Sequence, residues 1–297
     1  MVRNLKLDPV ICVDEFNDRL VVITGATSGI GRAAATKFAS QGADILCVNR
    51  HEQRSRELCE TLESQYGISC SYLIADFSKL SEIHAAAKQV SELDRDIDVL
   101  IHNAGVFMTK RTFSEDNLEI VFQVDYLASF ILNYYLKDKF SEQNHGRILF
   151  VNSEAYRFAA WGLELDDLAW DRRKYAGLKS YGAAKLAQLL SMIKLEEYFS
   201  GTGVTVNAMH PGNVKTNSGQ NNGRIYKFFK KILVDSSAKN IENSAEALYY
   251  LGVSKELENI SGKFFNLTTI ETPAPPALDK QAAEQLWDLS KQLGGIA

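Results

Sequence analysis

Three glycines stand between an apolar run and a helical pattern close to the beginning of the chain. The run 20–23, Leu-Val-Val-Ile, is followed by 24–31, Thr-Gly-Ala-Thr-Ser-Gly-Ile-Gly. Glycine lets the backbone turn sharply and lets a ligand approach the peptide groups. The first N–H groups and the positive end of the next helix favour a phosphate. The segment predicts a strand that turns tightly into a helix and binds a dinucleotide. A strand–helix turn without a ligand is the alternative, because a glycine cluster alone is a weak signal.

Apolar runs and helical stretches alternate along the rest of the chain. Further strands are predicted at 45–48, 71–74, 99–101, 147–151, 204–208 and 263–265. Helices are predicted near 31–41, 52–65, 80–93, 115–140, 178–199 and 242–252. Repeated strand–helix–strand units with right-handed crossovers give a parallel sheet covered on both faces. The predicted fold class is α/β, a doubly wound parallel sheet of about seven strands with helices on both faces.

The composition is that of a soluble protein with one large core, since 45% of the 297 residues are hydrophobic and 24% are charged. We interpret 1–297 as a single domain with an N-terminal extension at 1–18 and a C-terminal helix at 277–293. The net charge of −4 gives no reason to expect a nucleic acid partner. The charged beginning does not fit a signal peptide, and no apolar stretch approaches the roughly 18 residues of a membrane span.

The cysteines Cys12, Cys47, Cys59 and Cys70 show no metal-ligand spacing such as C-x-x-C. Cys47 lies in an apolar run and is interpreted as a small core residue. A reduced, intracellular protein is the simplest interpretation. We therefore expect a cytoplasmic location and no metal site.

Candidate functional residues follow the predicted strands, which is where doubly wound sheets bind their ligands. After the glycine segment, the strands are followed by Asn49 and Arg50, by Asp76, by Asn103-Ala104-Gly105, by Ser153 and by His210-Pro211-Gly212. One such coincidence means little. Their repetition after successive strands favours a functional edge of the sheet.

The ordered set of motifs resembles the short-chain dehydrogenase/reductase family, whose members have a Rossmann fold. The matching pieces are Thr24-Gly25-x-x-x-Gly29-x-Gly31, Asn103-Ala104-Gly105, Ser153, Tyr181-x-x-x-Lys185 and Pro211-Gly212-x-Val214-x-Thr216. The resemblance covers residues 18 to 293. Within the family the chain is most similar to the retinol dehydrogenase-like branch, on the weaker marks of the insert between Ser153 and Tyr181, the segment 261–265 and the terminal Leu286-Trp287-x-Leu289-Ser290.

Tyr181 and Lys185 are spaced i, i+4 and share one face of a helix. A free tyrosine, with a pKa of about 10, is a poor acid–base catalyst at neutral pH, and a nearby ammonium lowers the pKa of a phenol. The pair can pass a proton to or from a carbonyl or alcohol oxygen while a nicotinamide moves a hydride. A buried aromatic beside a solvated lysine is the alternative. The resemblance places Ser153 as donor to the same substrate oxygen.

The resemblance also implies the dinucleotide contacts. Residues 103–105 would form the pocket floor, and 211–216 would meet the nicotinamide half. Asp76 would contact adenine, with an N-cap near Ser78 as the alternative. The implied cofactor-binding positions are Gly25, Thr27, Ser28, Gly29, Ile30, Gly31, Asn49, Arg50, Asp76, Phe77, Asn103, Ala104, Gly105, Tyr181, Lys185, Pro211, Gly212, Val214 and Thr216.

The end of the second strand favours NADP(H) over NAD(H). An NAD site places an acid about 20 residues beyond the glycines, on the ribose hydroxyls. Here Asn49 and Arg50 occupy that place, and the Arg50 guanidinium can bind a 2′-phosphate. Arg32 and Arg54 add positive charge that would attract the 2′-phosphate. Glu52 keeps NAD(H) open, because a shifted loop could bring its carboxylate to the ribose.

Asp125 departs from the family pattern. Members of the family carry an asparagine at this point, which helps a water and the lysine to relay protons, whereas this chain reads Val124-Asp125-Tyr126. A carboxylate near Lys185 would stabilise the ammonium and partly cancel its effect on Tyr181. We expect Asp125 to perturb the proton relay without abolishing it. That Asp125 only accepts the same backbone hydrogen bonds is the alternative.

The substrate side carries aromatic residues. We predict a substrate lid at 217–235, in which the aromatic and basic run 224–231 covers an apolar carbonyl compound, lies on a membrane surface or packs as an ordinary amphipathic helix. Tyr156, Phe158 and Trp161 suit an apolar substrate and suit a core equally well. The long helices near 115–140 and 178–199 leave a homo-oligomer open.

The sequence therefore predicts an NADP(H)-dependent oxidoreductase that interconverts a carbonyl and an alcohol of a small, apolar molecule. Its catalytic residues are Ser153, Tyr181 and Lys185, with Asp125 beside them. Two alternatives remain: a catalytically weak nucleotide-binding or scaffold protein, for which Asp125 is the best support, and a reductase of carbon–carbon double bonds.

Overall fold

The computed structural model of the protein describes residues 8–212 and 241–296. Within these ranges one sheet contains β1 (Leu20–Thr24), β2 (Asp44–Asn49), β3 (Cys70–Ile74), β4 (Val99–His102), β5 (Gly146–Val151), β6 (Val204–His210), β7 (Phe264–Asn266) and β8 (Thr269–Glu271). The order is β3-β2-β1-β4-β5-β6-β7-β8, and all neighbours are parallel except β7 and β8. Chain order reverses between β1 and β4, which opens a crevice beyond their carboxyl ends.

Helices cover both faces of this sheet. They are α1 (Gly29–Ala39), α2 (Glu52–Tyr66), α3 (Leu80–Ser91), α4 (Ile120–Phe122, Gln123–Leu127 and Ala128–Gln143), α5 (Gly177–Tyr198), α6 (Ile241–Val253) and α7 (Lys280–Leu293). Alternate strand residues face opposite layers: Val21 and Ile23 pack with α1, α2 and α6, whereas Leu20 and Val22 face the core of α3, α4, α5 and α7. The predicted doubly wound α/β fold is confirmed. Among the described helices, none has the length and apolar character needed to cross a membrane.

Helix α4 begins later than its apolar pattern predicts. Residues before it turn back on themselves through the bridge between Phe113 and Glu119, with Asn117 at a φ of 59°. The Glu119 carboxylate accepts a hydrogen bond from the N–H of Phe122 at 2.9 Å and caps the helix. Its second segment, Gln123–Leu127, is a π turn, a rare feature of α-helices that is frequent at functional sites.

Strand β8 is absent from the predicted set of strands. It pairs with β7 in an antiparallel hairpin whose turn contains Leu267 at a φ of 54°. The strand has only three residues, and two of them are exposed. So short a segment carries no readable alternation of polar and apolar residues.

Candidate active site

The glycine turn after β1 is locked to the turn after β4. The Asn103 amide donates to the carbonyl oxygens of Thr24 and Gly25 at 3.0 and 2.9 Å. The Thr24 hydroxyl accepts from the N–H groups of Asn103 and Ala104 at 3.0 and 3.1 Å. Both turns are therefore held by the protein itself, at the point where the strand order reverses.

The absence of a side chain matters for a different structural reason at Gly29 than at Gly25 and Gly31. A Cβ on Gly31 would lie 2.4 Å from the Asn103 amide nitrogen, and a Cβ on Gly25 would lie 2.9 Å from Cα of Ala104. A Cβ on Gly29, which has a φ of 56°, would meet no atom of the described residues within 4 Å. Two glycines thus permit the turns to pack, and the third borders open space at the beginning of α1.

That open space suits a phosphate. Ser28 is the N-cap of α1, and its side chain makes no capping hydrogen bond, so the first N–H groups of α1 remain available to an anion. No acidic side chain lies in the first turn of α1. Thr27, Ser28 and Gly29 are partly exposed, whereas Ile30 and Gly31 are buried. The cradle fits the pyrophosphate of a dinucleotide.

Asn49 supports the cradle from beneath. Its side-chain oxygen accepts from the N–H of Ala26 at 2.7 Å, and its amide donates to Ser55 at 3.1 Å. Because Asn49 is only 2% exposed, its side chain shapes the turn from inside the protein. Arg50, the next residue, is exposed at the carboxyl edge of the sheet.

The acidic residue nearest to Arg50 along α2 is already paired. Glu52 forms an ion pair with Arg56 one turn further on, at 2.9 Å. Arg32 and Arg54 are exposed.

Asp76 caps a turn of its own chain. Its carboxylate accepts from the N–H and the hydroxyl of Ser78 at 3.0 and 2.8 Å, while α3 begins two residues beyond Ser78, at Leu80. Phe77 is buried in the core. The structure thus gives Asp76 a turn-capping contact, which neither requires nor prevents an adenine contact.

Tyr181 and Lys185 lie one turn apart on α5, and Lys185 reaches the end of β5, two residues before Ser153. The ammonium of Lys185 lies 5.5 Å from the centre of the Tyr181 ring. Phe107 packs edge-on against that ring, with the centres 5.8 Å apart. Ser153 lies two residues beyond the end of β5, and its hydroxyl oxygen accepts from the N–H of Ala155 at 3.1 Å, which leaves its proton available to donate.

Lys185 is buried in a polar network. Its ammonium donates to the Val151 carbonyl at 3.0 Å and to the Gln188 side-chain oxygen at 3.3 Å. The Asn152 amide donates to the same Gln188 oxygen at 3.0 Å and to the Lys185 carbonyl at 2.9 Å. These contacts hold the ammonium at the end of β5.

Asp125 lies on the π turn of α4 and faces this network. Its Oδ1 accepts from the N–H of Val106 at 2.7 Å. Its Oδ2 is buried, has no hydrogen-bond partner among the described residues, and lies 3.9 Å from Nζ of Lys185. A Cβ on Gly105 would come within 3.1 Å of that Oδ2. The carboxylate therefore forms the floor under Gly105, one layer below the crevice.

Burial changes the acidity of both groups. It raises the pKa of Asp125 to about 7, against the opposing effects of Lys185 and of the Val106 N–H. Burial lowers the pKa of the Lys185 ammonium, against the attraction of Asp125. The floor of the site can therefore change charge near neutral pH.

The last cofactor segment is described only at its beginning. Pro211 is buried and its carbonyl accepts from the Ser244 hydroxyl at 2.8 Å, and Gly212 has a φ of 74°. Val214, Thr216, the predicted lid 217–235 and the run 224–231 lie outside the described residues.

The aromatic residues after Ser153 separate into two groups. Tyr156 is 1% exposed, packs on Phe264 and accepts from the N–H of Ala274, so it is a core residue. Phe158 and Trp161 are 50% and 101% exposed and line a groove of about 340 Å³. Ser180 and Ala183 border that groove, but Tyr181 does not. The groove therefore opens on a different face of α5 from the face that carries Tyr181.

Gln188 is the functional candidate that the motif reasoning missed. In addition to its contacts with Lys185 and Asn152, its amide donates to the Asp125 carbonyl at 2.6 Å. The available signal was its position three residues after Lys185, on the same helix face. A polar residue in an apolar helix face needs a partner when it is buried.

Comparison with known proteins agrees with this geometry. The family model described as short chain dehydrogenase matches residues 19–163. Human retinol dehydrogenase 13 is 32% identical over 94% of this chain and 85% of its own length. Mouse retinol dehydrogenase 14 is 30% identical over 95% of this chain and 87% of its own. A solved uncharacterized protein of Mycobacterium paratuberculosis has a TM-score of 0.74 at 25% identity and 95% coverage of both chains. A short-chain dehydrogenase of Sphingobium yanoikuyae in complex with NADPH has a TM-score of 0.64 at 24% identity, covering 78% of this chain and 83% of its own.

The chain belongs to the short-chain dehydrogenase/reductase family. It is an oxidoreductase of the class that acts on CH–OH and C=O groups with NAD(P). Its branch within that family is the retinol dehydrogenase-like one, as the predicted resemblance indicates.

Proposed function

We propose that the protein interconverts the carbonyl and alcohol forms of an apolar small molecule with NADP(H), using Tyr181 as the acid–base. The observation that carries the proposal is the buried Lys185 ammonium, which lies 5.5 Å from the centre of the Tyr181 ring. A bound nicotinamide would supply or accept the hydride.

The protein residues would handle the proton. The Ser153 proton is directed to the substrate oxygen, and Tyr181 donates its phenol proton to that oxygen during reduction or removes it during oxidation. The Lys185 ammonium stabilises the phenolate by its charge and would reach the ribose. Its two hydrogen bonds, to Val151 and Gln188, fix it in place for this purpose.

NADP(H) is favoured by charge at the end of β2. Arg50 is exposed beyond Asn49, and Glu52, the next carboxylate along the chain, forms an exposed ion pair with Arg56. The complex of the Sphingobium relative with NADPH is in accord with this preference. We expect Arg50→Ala to weaken NADPH binding by tenfold or more and to leave NADH binding unchanged. Arg19→Ala, which removes a partly exposed guanidinium at the opposite edge of the sheet, is the control. An unchanged preference between NADPH and NADH contradicts the assignment.

The substrate class rests on the relatives and on the apolar surroundings of Tyr181. Two curated relatives are named retinol dehydrogenases, and the Phe107 ring packs against Tyr181. Retinaldehyde and retinol are therefore the first compounds to assay, together with short aldehydes, ketones and alcohols, each with NADPH and NADH or their oxidised forms.

Tyr181→Phe tests the chemistry. The variant should lose turnover and keep its affinity for NADPH, because only the phenol oxygen is removed. Tyr198→Phe is the matched control, since Tyr198 lies on the same helix and its hydroxyl binds the surface residue Asp138. Activity that survives in Tyr181→Phe contradicts the role of the phenol.

Asp125 favours one second candidate, a nucleotide-binding protein with weak catalysis. A carboxylate 3.9 Å from Lys185 opposes the charge that the mechanism needs. Tight NADPH binding without turnover of any compound in the panel would support this candidate over the first.

A further inference from the structure

Three thiols meet between α2 and the sheet, away from the catalytic residues. Cys47 lies on β2, Cys59 on α2 and Cys70 at the beginning of β3. The Cys70 thiol donates to Sγ of Cys59, and the two sulfur atoms are 2.6 Å apart. Cys47 stands two residues after Ile45, the register partner of Cys70, and therefore lies on the same face of the sheet as Cys70. The cluster therefore joins three elements that are separate in sequence.

The sulfur separation fits a thiol–disulfide couple better than a shared metal ion. Two thiolates bound to one Zn²⁺ at about 2.3 Å would lie roughly 3.8 Å apart, whereas a disulfide bond measures about 2.05 Å. In the part of the chain that the structure describes, no group of three or more His, Cys, Asp or Glu side chains has a metal-binding arrangement.

We propose that Cys59 and Cys70 are a dithiol that peroxide converts to a reversible disulfide, which links α2 to β3. The Cys59 thiolate attacks hydrogen peroxide, which forms a sulfenic acid and releases hydroxide. The Cys70 sulfur then attacks the sulfenic sulfur, and its proton leaves with the hydroxyl group as water. The hydroxide takes up the proton that Cys59 lost and becomes the second water. In total, two thiols and one peroxide yield one disulfide and two waters.

The surroundings give the cysteines unequal roles. Hydrogen bonds from Cys47 and then Cys70 lower the pKa of the Cys59 thiol, against the effect of its burial. Cys70 is partly exposed, which opens a route for a small oxidant. Cys47 is 0% exposed, and its hydrogen bond to Cys59 raises its pKa most, so Cys47 is a donor to the couple rather than a partner in the bond.

The disulfide would tie down an edge of the sheet. Among the described strands, β3 is the last on its side of the sheet and pairs with β2 alone. The link closes the stretch between the middle of α2 and the beginning of β3, which restricts the unfolded chain. The oxidised protein should therefore melt several degrees higher than the reduced protein. This proposal is independent of the function proposed above.

Peptide mapping tests the bond directly. The full chain is treated with hydrogen peroxide, blocked with an alkylating agent and cut without reduction by a glutamate-specific protease. Glu60 and Glu63 lie between the two cysteines, so their peptides separate unless they are bridged. The expected result is a linked Cys59–Cys70 peptide, a fall from four free thiols to two, and full reversal by dithiothreitol.

Cysteine variants distinguish the Cys59–Cys70 disulfide from other oxidation products. Cys59→Ala and Cys70→Ala should each abolish the linked peptide and the rise in melting temperature, and the buried Cys12→Ala should abolish neither. A bond to Cys47 or Cys12, a bond between chains, irreversible acids alone, or four intact thiols under conditions that oxidise free cysteine would each overturn the proposal. The wild-type mapping decides the question even if a variant fails to fold.

Discussion

Nζ of Lys185 lies 3.9 Å from Oδ2 of Asp125, and neither side chain is more than 4% exposed. The distance is too long for a hydrogen bond but short enough for strong attraction where water is excluded. Within residues 8–212 and 241–296, no group forms a hydrogen bond with this Oδ2. The pair is thus an electrostatic contact whose strength depends on whether Asp125 is ionised.

Asp125→Asn should change how stability depends on pH. Burial raises the pKa of Asp125 from 3.8 to about 7, so the folded state holds a proton that the unfolded state releases. The corresponding stability is complete below about pH 4 and is lost as the pH rises to about 7. Relative to wild type, the variant should gain melting temperature across this interval and level off above it. A difference that stays flat from pH 4 to 8 contradicts this, and Asp288→Asn on the surface is the control.

The same variant should shift the pH dependence of catalysis. An ionised Asp125 stabilises the Lys185 ammonium and partly cancels its effect on the phenol. With asparagine, the acidic limb of kcat/KM for oxidation should move to lower pH. The measurement is the pH–rate profile of both proteins with one alcohol, and superimposable curves would sink the idea.

Gln188→Met should lower kcat by about tenfold with little change in the Kd for NADPH. The thioether has a similar volume but cannot accept from Lys185 and Asn152 or donate to Asp125, so the ammonium loses one of its anchors. Because Gln188 acts through Lys185, the pH–rate profile should move as well. Gln89→Met, at an exposed position on α3, controls for the substitution, and an unshifted profile would assign Gln188 to stability alone.

Gly29→Ala and Gly67→Ala form a matched pair. Both glycines have a positive φ, 56° and 69°, and at either position an added Cβ would meet no atom within 4 Å in the part of the chain that the structure describes. Each variant should lose about 1–2 kcal/mol in the free energy of unfolding. Only Gly29→Ala should also weaken NADPH binding, because its methyl group enters the cradle at α1. Equal loss of affinity in both variants would remove Gly29 from the binding site.

The fold and the tight glycine turn after β1 could be predicted from the sequence because both follow from local patterns. Apolar runs locate the strands of the parallel sheet, and Gly25 and Gly31 are where close packing permits no side chain. Neither the apolar runs nor the glycine positions show which side chains will contact each other. Gln188 was missed because its partners, Asp125 and Asn152, come from other elements. The exposed strand β8 was missed because three residues show no alternation of polar and apolar side chains. The cysteine cluster was missed because its members are not regularly spaced in the sequence.

The π turn Gln123–Leu127 has a consequence for how this helix can vary. A π turn holds one residue more than the α-helical path, and one residue corresponds to about 100° of rotation. Deleting one residue there would turn Asp125 away from Gly105 while leaving the apolar face of Ala128–Gln143 in register with the core. The two parts of the helix can therefore differ in rotation about the axis. The rotation of the first part sets where Asp125 points, and the rotation of the second part sets which residues pack in the core.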